Sequence, residues 1–193
     1  ERSRGLAPGR IELALLIESP RGLLDLRAIA AASPRGRTIA LGPEDYCLEI
    51  GVGPSADGAE LRYPLSKVVT VCKAAGVAPM GLLGSIGEFR NLPAFERAAA
   101  GARDLGCVGA SCIHPDQVAI LHQVFSPPPE KVEYARKAAE AFEEGLRRGT
   151  ASVGVGGAMV DTPVYVRARR ILEYAEAIAA VEKRKADARA RSG

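Results

Sequence analysis

Leu13-Ala14-Leu15-Leu16-Ile17-Glu18-Ser19-Pro20-Arg21-Gly22 and Thr38-Ile39-Ala40-Leu41-Gly42-Pro43-Glu44-Asp45-Tyr46 are the two stretches that decide the fold. In each, apolar residues run on without alternating, the pattern of a strand buried on both faces. Each run breaks at Pro or Gly as it meets its carboxylates. Between them, residues 22–32 read as a helix with Leu23, Leu24, Leu26, Ile29 and Ala30 on one side. Strand, helix, strand is a parallel crossover, so Glu18 and Asp45 are expected at the same edge of one sheet. In α/β folds that carboxyl edge is where ligands bind. Two carboxylates there suit Mg²⁺, a hard cation that takes one or two carboxylates and fills its other positions from water and substrate. The plainer alternative makes both acids helix N-caps on surface loops.

Working outward, the alternation of strand and helix continues. Residues 63–75 have helical periodicity and stop at Gly76. Residues 77–83 read as a third buried strand ending at Gly84. Asn91 and Pro93 open a helix that runs to Leu105 and closes at Gly106. Residues 107–113 read as a fourth strand, which ends at His114-Pro115 before a short helix over 116–125. The fold class is therefore α/β, and four successive β/α units over residues 1–125 are half of a (β/α)₈ TIM barrel, which as a whole takes about 250 residues; the resemblance given below makes it the C-terminal half.

Residues 126–193 form a helical extension. Ser126 and the run Pro127-Pro128-Pro129 make a stiff break before a charged helix over 130–148. A small hairpin with a Gly-Gly turn occupies 151–161. Thr162 as N-cap and Pro163 at the first helical position start a long final helix. Its Lys/Arg-rich end, residues 182–193, is expected to fray.

Composition narrows the function. The 193 residues are 47% apolar and 25% charged, enough for a globular core. A net charge of +3, with basic residues spread out except in Glu182-Lys183-Arg184-Lys185, argues against nucleic acid. The absence of Trp argues against a base-stacking platform. No apolar run of about 18 residues is present, so no membrane span is expected. The N-terminus lacks a signal-peptide layout, and the expectation is a cytoplasmic protein. Cys47, Cys72, Cys107 and Cys112 form no C-x-x-C pair and read as reduced structural thiols. Cys112 and His114 lack further ligands at zinc spacing, and His122 reads as surface or core. Arg21 and Lys67 read by default as solvated charges.

Four segments carry a resemblance: Leu16-Ile17-Glu18-Ser19-Pro20-Arg21-Gly22-Leu23, Leu41-Gly42-Pro43-Glu44-Asp45-Tyr46, Gly109-Ala110-Ser111-Cys112-Ile113-His114-Pro115 and Gly157-Ala158-Met159-Val160-Asp161-Thr162-Pro163. In order and spacing the chain resembles the C-terminal portion of citrate lyase β-subunit-like proteins of the HpcH/HpaI aldolase family, over nearly all its length. The resemblance implies a (β/α)₈ barrel with a C-terminal lid, Mg²⁺, and carbon–carbon cleavage or condensation of a 2-hydroxyacyl-CoA thioester such as malyl-CoA, citramalyl-CoA or a citryl thioester. The partners implied are an acyl-CoA or acyl-carrier-protein thioester, a 2-keto acid, and further copies of the chain in a trimer or hexamer.

The resemblance assigns the metal to Glu18 and Asp45. It assigns substrate binding to Gly42, Glu44 and Asp45, the N–H groups of Glu44 and Asp45 holding the keto acid's carboxylate. Glu44 either has that role or only supports it. Asp161, on a lid that reaches a neighbouring subunit's site, is implied as the general acid/base on the thioester's α-carbon; the alternative is an ordinary helix-entry residue. His114 is implied to bond backbone or line the CoA cleft, and Arg21 and Lys67 are candidates for CoA phosphates.

The family's opening half, with its active-site Arg, has no counterpart among these residues. Pro79-Met80-Gly81-Leu82-Leu83 stands where relatives often carry an Asp, and Pro64-Leu65-Ser66-Lys67 where Ala-Arg-Ser-Arg is common, which marks a divergent branch. Two other readings stand beside the lyase. One is an aldolase for free 2-keto acids without CoA, against which the lid and Asp161 argue. The other is a non-catalytic or truncated assembly subunit, whose outer strand edges would be exposed.

Overall fold

Leu13–Ile17 forms strand β1 and Gly36–Leu41 forms β2, paired in parallel with Leu15 beside Ile39 and Ile17 beside Leu41. The computed structural model describes residues 1–87 and 89–192. Its backbone contacts divide into two units, Glu1–Phe125 and Ser126–Gly193.

In the first unit, β3 (Ala78–Met80) joins β2 in parallel, giving the order β1-β2-β3. Helices α1 (Pro20–Leu24), α2 (Leu26–Ala31) and α4 (Ala59–Ala75) cover one face, and α3 (Pro43–Glu49) follows β2 directly. Ile17, Ile39 and Leu41 point into that layer and are buried with Leu23, Leu26, Leu61, Leu65, Val68 and Cys72. β1 is not buried on both faces as its apolar run predicts: Leu16, on the opposite face, is 52% exposed. The run reports hydrophobicity and not what covers it.

The helix expected over 22–32 is two helices. The Ser19 hydroxyl caps α1 by accepting from Gly22 N–H at 3.0 Å, and the chain re-enters helix after Asp25. The break turns Leu24 outward, 70% exposed, and brings Leu26 into the core. α4 begins at Ala59, before the expected Tyr63, with Pro64 inside it. Gly58 starts it at φ +61°, and a Cβ there would lie 2.6 Å from the Leu83 carbonyl oxygen.

β3 is shorter than the expected 77–83, with Pro79 in its middle beside Ile39. The fourth strand expected over 107–113 does not form. Val108 N–H donates to the Pro79 carbonyl at 2.9 Å, and Gly81 N–H reaches the Gly109 carbonyl at 3.1 Å. That second bond is one residue out of step with a regular parallel ladder. The described residues of this unit therefore hold three regular strands and one extended segment, not four strands. α5 (Leu92–Leu105), capped by Asn91, and α6 (Pro115–Phe125) close a second core of Leu82, Phe95, Ala98, Ala99 and Val124. Gln117, fully buried, accepts from Ile113 N–H at 2.9 Å and His114 N–H at 3.2 Å, which fixes the turn into α6.

In the second unit, α7 (Pro129–Arg147) packs on α8 (Thr162–Ser192) through Phe142 and through Ala135, Ala138 and Ala168, whose small side chains let the helices approach. Phe142 stacks on Tyr165 with centroids 4.9 Å apart. Strands β4 (Val153–Val155) and β5 (Ala158–Val160) form the expected hairpin, with Gly156 at φ +58° and Gly157 at φ +82°. Asp161, and not Thr162, caps α8: its Oδ1 accepts from Val164 N–H at 3.2 Å and its carbonyl from Tyr165 N–H at 2.9 Å. Residues expected to fray are helical through Ser192. No helix among the described residues is long and apolar enough to cross a membrane.

All four cysteines are free thiols, three of them buried and Cys112 exposed. Burial pushes the Cys72 thiol up to about 11 and the Cys107 thiol up to about 12, and raises Cys47 as well. An aromatic-disulfide titration of native protein at pH 8 should therefore show one fast thiol, lost in Cys112→Ser, with the rest reacting only after denaturation. Two fast thiols would contradict this burial pattern. Gln117→Ala strands two part-buried N–H groups and should cost about 1 kcal/mol in urea unfolding. An unchanged midpoint would mean that the turn does not depend on it.

Candidate functional site

Gly42 N–H donates to the Ile17 carbonyl at 2.8 Å, one residue beyond the β1–β2 ladder. This rung brings Glu18, the first residue after β1, alongside Gly42. A Cβ on Gly42 would lie 2.6 Å from Glu18 Cγ and 3.0 Å from its Oε1, so only glycine leaves room for that side chain. Pro43 then starts α3 at once, with Glu44 and Asp45 in its first turn.

Glu18 and Asp45 meet, as the strand-end reading expects. Partial burial, then a hydrogen bond and like charge from Asp45, hold the Glu18 carboxyl above its ordinary value. Two carboxylates in such contact present hard oxygen donors and a repulsion that a divalent cation relieves. No group of three His, Cys, Asp or Glu side chains is arranged for a metal among the described residues. A cation between Glu18 and Asp45 would therefore fill its other positions from water and substrate, the habit of Mg²⁺.

Glu44 does not join the pair through its carboxylate. Its Oε1 accepts a hydrogen bond from the Ser85 hydroxyl, which itself accepts from Gly87 N–H at 3.0 Å. The N–H groups of the first turn of α3 have no acceptor within the helix, so Glu44 and Asp45 can offer theirs to an anion. A cavity of about 160 Å³ adjoins these groups, with Leu16, Leu82, Ile86 and Ser111 in its wall.

Ser85, Ile86 and Ser111 escaped the sequence reading. Ser85 follows Gly84 after the third apolar run, but a lone serine there carries no signal of its own. Asp161 stands in the second unit with one carboxylate oxygen engaged as the α8 cap. His114 accepts from Asp116 N–H at 3.3 Å through Nδ1 and stacks on Phe89 at 5.1 Å. Arg21 pairs with Asp25 at 2.7 Å, and His122 is exposed.

Comparison with known proteins adds to this geometry. The family model described as HpcH/HpaI aldolase/citrate lyase matches residues 1–115. Citrate lyase subunit beta of Escherichia coli (strain K12) is 36% identical over 176 residues, 91% of this chain and 58% of that protein. L-malyl-CoA/beta-methylmalyl-CoA lyase of Cereibacter sphaeroides is 30% identical over 197 residues, 93% of this chain and 61% of that protein. Among solved structures, protein CitE from Mycobacterium tuberculosis, in complex with magnesium, acetoacetate and coenzyme A, superposes with a TM-score of 0.70 at 25% identity. It covers 86% of this chain, which covers 61% of it. The chain thus spans about three fifths of the length of the curated relatives it matches.

Replacing Glu18 removes one of two repelling charges. In EDTA, Glu18→Gln should melt at or above the wild-type temperature. Added Mg²⁺ should raise the wild-type melting temperature and leave the variant's unchanged. A variant that melts well below wild type in EDTA would make Glu18 a structural residue instead.

Proposed function

The chain belongs to the HpcH/HpaI aldolase/citrate lyase family, and from that premise we propose that it carries the metal-binding part of a Mg²⁺-dependent carbon–carbon lyase for CoA thioesters. The observation that carries this reading is the contact of Glu18 with Asp45 at the carboxyl edge of a parallel sheet. Residues 1–125 are read as part of a (β/α)₈ barrel and residues 126–193 as its lid. The lyase named for the Escherichia coli relative, the CoA thioesters named for the Cereibacter sphaeroides relative, and the magnesium and coenzyme A held by the Mycobacterium tuberculosis protein support the same chemistry.

The proposed substrate is a 2-hydroxy acid joined through its next carbon to a thioester, as in malyl-CoA, citramalyl-CoA or a citryl thioester. Glu18 and Asp45 would hold Mg²⁺, which when bound supplies the positive charge that eases loss of the hydroxyl proton. The N–H groups of Glu44 and Asp45 would hold the acid's carboxylate at the start of α3. As the hydroxyl proton passes to water, the O–H electron pair forms the C=O of a 2-oxo acid while the carbon–carbon bond breaks, and that bond's electrons pass to the thioester as an enolate.

That enolate needs a proton at its α-carbon. Asp161 is assigned to deliver it, from the lid of a neighbouring copy in a trimer or hexamer. The Val164 N–H bond holds Oδ1, which fixes the direction of the carboxylate. Free buried thiols suit a reducing compartment such as the cytoplasm.

The chain mixed with malyl-CoA or citramalyl-CoA should release glyoxylate or pyruvate with Mg²⁺ and not with EDTA. Asp45→Asn should abolish release. Asp161→Asn keeps a capping oxygen, so its fold should persist while its rate falls about 10²–10⁴-fold. Failure to release either acid with Mg²⁺ would contradict lyase activity in this chain.

A further inference from the structure

The proposed function leaves open how the site keeps coordination positions free for its substrate, and the loop after β3 addresses it. Glu18, Glu44 and Asp45 all border one cavity at the carboxyl edge. Glu18 and Asp45 are in contact, yet no three such side chains are grouped for a metal among the described residues. Glu44 therefore stands apart from the pair, and its position has a visible cause. Its side chain is exposed, so packing does not hold it. The Ser85 hydroxyl does. Gly87 N–H can only donate to that hydroxyl, at 3.0 Å, and an ionised carboxylate can only accept, so the hydroxyl proton is directed at Glu44 Oε1. Ser85 is itself presented from a fixed place. Leu83 N–H donates to the Ala98 carbonyl at 3.0 Å, and a Cβ on Gly84 would lie 3.1 Å from Ala98 Cβ, so the loop rests closely on α5.

We propose that Ser85 is a positioning residue that, by its hydrogen bond to Glu44, keeps the Glu44 carboxylate off the cation held by Glu18 and Asp45. This inference rests on the metal reading above. Mg²⁺ is bound through one or two carboxylates and leaves its other positions to water and substrate, whereas Ca²⁺ takes about six to eight oxygens. A third carboxylate would therefore favour Ca²⁺ and fill a position that the 2-hydroxy or 2-oxo acid needs. Glu44 immediately precedes Asp45 in the first turn of α3. Its side chain is one methylene longer than that of Asp45, so once released it can turn toward the same cation. A hydrogen bond to an ionised acceptor is among the stronger kinds, and here it leaves two carboxylates for the cation instead of three.

The test is calorimetry of the 193-residue chain with Mg²⁺, with Ca²⁺, and then with pyruvate and glyoxylate at saturating Mg²⁺. Ser85→Ala should raise the affinity for Ca²⁺ relative to Mg²⁺ about tenfold and weaken both acids by a similar factor. Ser85→Thr, which keeps the hydroxyl, should bind as wild type does. Glu44→Gln in the Ser85→Ala background removes the third carboxylate and leaves the backbone N–H groups in place, so the cation ratio should return to the wild-type value. A serine that only shapes the loop gives a different pattern: Ser85→Ala weakens both cations alike and Glu44→Gln restores nothing, which overturns the inference. A Ser85→Ala chain with the wild-type cation ratio overturns it as well. The cation ratio decides between these outcomes whether or not a free acid binds. Failure of Mg²⁺ to bind wild type contradicts the metal reading, and the role of Ser85 falls with it.

Discussion

The hydrogen bond from Gly42 N–H to the Ile17 carbonyl is the constraint on which the site depends. It is the last rung between β1 and β2, and it decides what stands beside what once the strands end. Because residue 42 has no side chain, Glu18 occupies the space next to it. Because Pro43 turns the chain straight into α3, Asp45 arrives within one helical turn. Two carboxylates that would separate in water are thus held in contact, and partial burial, followed by the hydrogen bond and like charge of Asp45, displaces the Glu18 carboxyl upward. Local rules of stability are broken here, as they commonly are where a ligand completes a site.

The rest of the first unit serves to keep that arrangement in place. Helices α1, α2 and α4 bury one face of the sheet, which leaves the carboxyl edge free for chemistry. Ser85 ties the loop after β3 to Glu44, so three successive strand ends are linked through side chains and backbone. Glu44 then does a different task from Asp45 although the two are adjacent. Its carboxylate braces the cavity wall, while Asp45 faces Glu18. Neighbours in a first helical turn point in different directions, and that spread allows the division.

Much of this was legible in the sequence because its causes are local. Apolar runs closing on Gly or Pro marked β1 and β2, and Gly76, Asn91 and Gly106 marked helix ends through their caps. The placing of Glu18 and Asp45 at one sheet edge followed from the parallel direction of a strand–helix–strand crossover. What escaped depends on tertiary partners. The break at Asp25 was hidden because Leu23, Leu24 and Leu26 suit one continuous helix as well as two. The fourth strand failed through a one-residue slip between Gly81 and Gly109, which no local pattern reports. Asp161 and Thr162 are both good N-caps, and only the bond to Val164 decides between them. Ser85 was passed over since a lone serine after an apolar run carries no signal until Glu44 stands opposite it.

The most direct test of the central claim, that Glu18 and Asp45 form one divalent-cation site, is a crystal structure grown with Mn²⁺ and measured at a wavelength where manganese scatters anomalously. The account predicts one strong anomalous peak bonded to a Glu18 oxygen and an Asp45 oxygen, with water in its remaining positions. A protein lattice with no peak between these two carboxylates, at Mn²⁺ concentrations that fill a magnesium site, would contradict it.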